Sequence, residues 1–115
     1  MNQQESIFTM LNQLSEQLDR PSVVELVELY FENTAATLAR FKEAAHQGKL
    51  EKLSQEAHAL KSSSANLGAV DLSAVCLKIE KSPQLNANTQ SLIDQAHRGF
   101  EEASAIMKKW ITNTH

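Results

Sequence analysis

Four histidines are the side chains of this chain that titrate nearest to neutral pH, and they are therefore the first candidates for acid–base or nucleophilic chemistry. His46 lies near the end of a predicted helix, where a cation suits the helix dipole. His97 has polar neighbours, and His115 is the last residue. We interpret these three as solvated surface histidines. His58 has different surroundings.

His58 is predicted to face solvent on the third helix of the chain. At about 100° per residue, the apolar stripe of that helix centres near Leu53 and Ser64, and His58 points about 130° away from it. The residues Ser62 to Ala65 follow on the same helix, although serine is a mediocre helix former. Such small side chains leave an exposed imidazole accessible to a partner. An ordinary exposed histidine is the alternative interpretation.

Several other kinds of site have no support in the residues. No second histidine, cysteine or pair of carboxylates lies at helical spacing from His58, and the charge of Lys61 would repel a metal ion. Cys76 falls on an apolar stripe and is predicted to be a small buried hydrophobic residue. The chain has no glycine-rich phosphate loop and no Walker-type lysine. We therefore expect no metal, no cofactor, and no autonomous kinase or nucleotide hydrolase activity.

Composition limits the class of protein further. A chain of 115 residues with 42% hydrophobic residues suits one domain, over residues 1–115, that can bury its own core. A net charge of -3 argues against a nucleic-acid partner. A single cysteine fits a reducing compartment, and the polar start of the chain has no signal or membrane segment. We expect a cytoplasmic protein without membrane contact.

Helical spacing of the apolar residues, with only three glycines and two prolines, predicts an all-α fold. A short first helix carries the stripe Ile7, Leu11, Leu14 and Leu18. A long second helix begins near Ser22, after Pro21, and stops at Gly48. Because the first half of this second helix is apolar on more than one side, we expect the first helix to cover it.

Three further helices complete the predicted fold. The third ends at Gly68, and Asp71 is predicted to cap a fourth, shorter helix that ends before Pro83. The last begins near Thr89, and Gly99 inside it predicts close packing. Tight loops between long helices favour an antiparallel up-down-up-down four-helix bundle with an additional short N-terminal helix.

The segment Ala57–Ala69 resembles the signature of histidine-containing phosphotransfer (HPt) domains. His58, the lysine three residues later, the run of small residues and Gly68 are all in register with that signature. The family usually has glycine directly after the lysine, where this chain has Ser62. Because a hydroxymethyl group is small, we expect slightly tighter access to His58 with its role intact.

The resemblance implies a phosphorelay intermediate. His58 would accept a phosphoryl group from an aspartyl phosphate on the receiver domain of a hybrid sensor histidine kinase, and pass it to the receiver domain of a response regulator. Lys61 would offset the added negative charge. Glu80 occupies a position where the family has a polar residue, and it could accept a hydrogen bond from Nδ1–H of His58 or be merely a solvated charge. The resemblance also implies Mg²⁺ on the partner receiver and a monomeric chain.

Two other functions compete with this one. A helical adaptor could bind receiver or kinase domains without carrying phosphate, but the presence of both His58 and Lys61 favours the relay. An enzyme that uses His58 as a general base would lack a neighbouring acid or nucleophile.

A partner is predicted to dock at the end of the bundle beyond His58. Phe8 flanks the stripe of the first helix and is predicted to be an exposed apolar residue there, beside the small Ala65 and Ser62. The alternative is that Phe8 packs into the core against the second helix.

Overall fold

The computed structural model describes residues 2–113, and every regular element in this range is a helix, as the all-α prediction requires. The helices are α1 (Gln3–Gln17), α2 (Arg20–His46), α3 (Leu50–Asn66), α4 (Val70–Glu80) and α5 (Ala87–Asn113). No helix within these residues is long and apolar enough to cross a lipid bilayer.

Four of the helices surround a common core. Helix α2 packs against α3 and α5, and α4 packs against the same two helices from the other side. Tyr30 of α2 contacts Ser64 of α3, whereas Arg40, further along α2, contacts Glu56, which lies earlier in α3. These two helices therefore run antiparallel. Cys76 is completely buried in the core, as predicted, and this burial raises the pKa of its thiol to about 12.

Two helices begin earlier than the sequence indicates, because side chains before them act as N-caps. Asp19 accepts a hydrogen bond from the Ser22 N–H at 2.8 Å, so α2 begins at Arg20. Asn86 accepts one from the Thr89 N–H at 3.1 Å, and α5 begins at Ala87.

Helix α1 closes one end of the bundle, where it packs against α2, α4 and α5. Ile7 and Leu11 are completely buried there. The side chain of Gln3 accepts a hydrogen bond from the Asp71 N–H at 3.0 Å. The prediction that Asp71 caps α4 is wrong, because α4 begins at Val70, so that Asp71 lies inside its first turn, and no side chain of its own caps the helix. A residue of α1 instead bonds one of the N–H groups that have no partner in the first turn of α4.

The three glycines have different roles. Gly48 and Gly68 follow α2 and α3 with positive φ angles of 72° and 80°, as helix-ending glycines do. Gly99 lies against Leu72, but a Cβ atom there would be 3.6 Å from the nearest atom, which is ordinary van der Waals contact. The backbone of α5 at Gly99 thus packs against Leu72 of α4, in line with the prediction of close packing, but the space would also admit a Cβ atom.

Candidate functional site

His58 lies on the outer face of α3, and 62% of its side chain is exposed, which agrees with the helical-wheel prediction. Its Nδ1 atom is 2.8 Å from Oε2 of Glu80, the last residue of α4. A carboxylate can only accept in this contact, so Nδ1 carries the proton. In the neutral ring the lone pair is then on Nε2, and that nitrogen is the nucleophilic one.

The carboxylate of Glu80 also binds Lys61. Nζ of Lys61 donates to Oε1 of Glu80 at 2.7 Å, so the two oxygens of one carboxylate contact the two α3 residues separately. The hydrogen bond from Lys61 lowers the pKa of Glu80 most, and the one from His58 lowers it further, while partial burial opposes both. Glu80 is therefore ionised at neutral pH.

The small residues beside His58 leave its surroundings open. Ser62 and Ala65 are both exposed. The hydroxyl of Ser62 donates to the backbone carbonyl of His58 at 3.3 Å, four residues back on the same helix. The side chain that replaces the usual glycine is thus bonded to the helix backbone and is not engaged with the imidazole.

Two serines join α3 and α4 on either side of the His58–Glu80 contact. The Ser54 hydroxyl donates to the Glu80 carbonyl at 2.9 Å, and the Ser73 hydroxyl donates to the Lys61 carbonyl at 3.0 Å. These pairs also show that α3 and α4 run antiparallel. Neither serine was predicted as a site residue, because which hydroxyl meets which carbonyl depends on the register of the two helices.

The exposed apolar surface near this end of α3 differs from the predicted one. Phe8 is half-buried and packs against the core, so it is not the exposed apolar residue that we expected. Helix α1 covers α2 only in part, and Leu26 and Leu29 of α2 remain 38% and 52% exposed. They border an open groove between α1, α2 and α3, whose other lining residues are Leu14, Tyr30, Ser63, Asn66 and Leu67. The excess of apolar residues on α2 was the sequence signal for this groove.

Neither His46 nor His97 forms a hydrogen bond with the carboxylate of Glu80, whose partners are His58 and Lys61. His46 is exposed in the last turn of α2, as predicted. His97 is half-buried, and its Nε2 atom is shielded from solvent without a hydrogen-bond partner among the described residues, so the surface interpretation of His97 was wrong. Burial, followed by the charge of Lys42, lowers the pKa of His97. His115 lies outside the described residues.

Among residues 2–113, no group of three or more His, Cys, Asp or Glu residues is arranged to hold a metal ion. The arrangement at His58 is therefore described by three side chains: an exposed imidazole, a carboxylate on Nδ1 and an ammonium group on the same carboxylate. Such a site can present a nucleophilic nitrogen and a nearby positive charge to a phosphorylated partner.

A comparison with protein-family models matches residues 25–106 to the Hpt domain. This match covers most of the chain and includes α3 and α4 with the His58 site, and the chain therefore belongs to the Hpt domain family. Hpt domains are helical bundles with a histidine phosphotransfer role in phosphorelay signalling. Neither the comparison with curated proteins nor that with solved structures gave a match.

Proposed function

We propose that His58 is the phosphorylated residue of a phosphorelay intermediate. It accepts a phosphoryl group from the aspartyl phosphate of a receiver domain in a hybrid sensor histidine kinase, and passes it to the aspartate of a response regulator. The observation that carries this proposal is the 2.8 Å contact between Nδ1 of the exposed His58 ring and Glu80, because it leaves Nε2 unprotonated.

The transfer forms one bond and breaks one. The Nε2 lone pair of His58 attacks the phosphorus, the P–O bond to the partner's aspartate breaks, and its electrons leave with the aspartate carboxylate. Positive charge develops on the imidazole as the N–P bond forms. The Glu80 carboxylate, bonded to the Nδ1 proton, stabilises that charge. The return transfer to a second receiver reverses these steps.

Lys61 offsets the charge of the transferred group. A phosphoryl group brings about two negative charges at neutral pH. Lys61 lies one helical turn from His58, and 27% of its side chain is exposed, so its ammonium group is partly accessible beside Glu80. We expect Mg²⁺ to be bound by the partner receiver, whose aspartate reacts, and no cofactor to be bound by this chain.

The groove bordered by Leu26 and Leu29 is proposed as the receiver-docking surface. Its α3 residues Ser63 and Asn66 are five and eight positions after His58, which is about 8–12 Å along the helix axis. A receiver seated there reaches His58 across the small, exposed Ser62. Exposed leucines around an open groove are a common apolar centre of a protein interface. One chain would bind one receiver at a time, as a monomer.

Incubation with a receiver domain labelled on its aspartyl phosphate tests the proposal. The wild-type chain should acquire a label that is stable to base and labile to acid. His58→Gln should acquire none, with helicity and melting temperature nearly unchanged because the side chain is exposed. His46→Gln, which alters an exposed histidine in α2, is the matched control and should take up label normally.

Two results would contradict the proposal. Label on the His58→Gln chain would mean that another residue carries the phosphoryl group. A wild-type chain that binds receivers tightly but never acquires label would instead be a helical adaptor.

A further inference from the structure

The carbonyl of Glu80 is held differently from the other carbonyls at the end of α4. The last four carbonyls of a helix have no partner within the helix. The three before Glu80 are bonded within the same turn, by the N–H groups of Lys81 and Ser82 and by the Ser82 hydroxyl. The Glu80 carbonyl accepts from the Ser54 hydroxyl on α3, at 2.9 Å. Ser54 thus fixes the backbone of the residue that contacts His58.

The chain after Glu80 provides little other support for this residue. Regular structure resumes only at Ala87, and Pro83 has no N–H to donate. The connection therefore leaves the last turn of α4 to be positioned by its packing against α3 and α5, and of these two helices α3 supplies the hydrogen bond to the Glu80 carbonyl.

Three residues of α3 form hydrogen bonds with Glu80. Ser54 binds its backbone, while His58 and Lys61 bind its carboxylate, and the three lie at successive turns of one face of the helix. A carboxylate can make two such contacts only if its backbone is held at the right place along α3. A small rotation of the last turn of α4 would move the carboxylate out of hydrogen-bond distance from Nδ1 of His58.

We propose that Ser54 is a positioning residue for phosphotransfer, acting through Glu80. Its hydroxyl holds the end of α4 so that the Glu80 carboxylate keeps the proton on Nδ1 of His58 and the lone pair on Nε2. This inference rests on the proposed role of His58 in the relay.

The test uses Ser54→Ala and, as a matched control, Ser82→Ala. Both remove a hydroxyl that donates to a carbonyl of α4, but the Ser82 hydroxyl bonds only within its own turn, to Lys78. Two readouts are needed: the rate of label transfer from a phosphorylated receiver, and nitrogen NMR shifts of the His58 ring, which report the nitrogen that carries the proton. Ser54→Ala should slow transfer by about threefold to tenfold, as expected for one lost hydrogen bond, and should reduce the Nδ1–H form of His58. Ser82→Ala should change neither.

Repeating the transfer measurement in the Glu80→Ala variant distinguishes a positioning role of Ser54 from a general weakening of the fold. If Ser54 acts through Glu80, then Ser54→Ala should slow transfer no further in a chain that already carries Glu80→Ala. The same slowing in both backgrounds, or a slower transfer with unchanged ring nitrogen shifts, would overturn the proposal. Absence of label on wild-type His58 would refute the proposed function itself, whereas the ring measurement needs no phosphate and would still decide the role of Ser54.

Discussion

The carboxylate of Glu80 contacts two residues and has a different role towards each. Towards His58 it acts as a hydrogen-bond acceptor that fixes the tautomer, and towards Lys61 it is an ion-pair partner. In the unmodified protein the ammonium group of Lys61 is thus already paired with the carboxylate of Glu80. In a chain phosphorylated on His58, the ammonium group would be able to bind either Glu80 or the phosphoryl oxygens.

Replacement of Lys61 by alanine should therefore affect the phosphorylated protein more than the unmodified one. We expect Lys61→Ala to slow phosphoryl acceptance or to shorten the lifetime of the phosphorylated form by about tenfold, the effect of about 1.4 kcal/mol. Binding of the unmodified chain to a receiver should change much less. Lys61→Arg retains the charge and is the control, and an equal loss in transfer and in docking would make Lys61 a docking residue.

The pH dependence of stability should reveal the environment of Glu80. Its pKa is lowered from the ordinary value of 4.5, so its ionised form is favoured by folding. The resulting stabilisation is complete above pH 4.5 and is lost as the pH falls through the lower, folded-state pKa. Urea unfolding at a series of pH values should show wild type more stable than Glu80→Gln near neutrality, with the difference disappearing on acidification. The exposed Glu102→Gln should show no such trend, and a difference that persisted at low pH would exclude this origin.

The part of the site that lies on one helix was predictable, and the part that depends on tertiary packing was not. His58 and Lys61 are one turn apart, so their proximity follows from helical geometry alone. The contact between His58 and Glu80 was suggested only by the resemblance to HPt domains. Ser54 could not be identified, because its partner is 26 positions away on another helix. His97 looked solvated because its sequence neighbours are polar, but its Nε2 atom is shielded from solvent, and the charge of Lys42, on α2, also acts on its pKa.

Among the elements, the turn between α3 and α4 has the strictest requirement for glycine. A Cβ atom at Gly68 would lie 2.5 Å from the Ser6 carbonyl oxygen and 2.9 Å from Cα of Ile7, which are backbone atoms of α1 that cannot simply rotate away. Gly48 has a similarly positive φ angle, but nothing lies within 4 Å of its Cβ position. A side chain at Gly48 would therefore cause backbone strain alone, whereas a side chain at Gly68 would cause backbone strain and a steric clash.

Gly68→Ala should accordingly destabilise the protein much more than Gly48→Ala. For Gly48→Ala we expect a loss of about 1–2 kcal/mol in the free energy of unfolding, from the left-handed backbone alone. For Gly68→Ala the displacement of α1 adds to this, giving about 3–5 kcal/mol. Chemical denaturation of both variants measures the difference. Equal losses would mean that α1 can move away from the turn without consequence.

The helices themselves were predictable from their apolar spacing, whereas some of their ends were not. The stripes of α2, α3 and α5 are long enough to define each helix. The start of α4 was placed wrongly because Asp71 is a good capping residue by type, while in the structure Oε1 of Gln3 accepts the hydrogen bond that the Asp71 N–H donates. A cap supplied by a residue 68 positions away leaves no local signal in the sequence.

At the scale of the whole molecule, docking should depend on the exposed leucines of α2. Leu29 is 52% exposed, so Leu29→Ala should lower stability only slightly. If the groove is the receiver-docking surface, the same change should raise the dissociation constant for a receiver by about tenfold, or about 1.4 kcal/mol. Leu77→Ala alters a 37% exposed leucine on α4 and is the matched control. Calorimetric titration measures both, and unchanged binding by Leu29→Ala would place docking elsewhere.

Helix α1 lies outside the part of the chain that matches the Hpt family, yet the folded structure depends on it. The match begins at residue 25, inside α2, whereas Ile7 and Leu11 are completely buried and Gln3 bonds the start of α4. The evolutionary unit recognised by the family and the physical unit that buries the core therefore have different boundaries. A recombination event that moved residues 25–106 into another protein would transfer the His58 site but not the helix that closes its bundle. An exchange that preserves the buried core would have to carry α1 as well as the end of α5, where Met107 and Trp110 are buried.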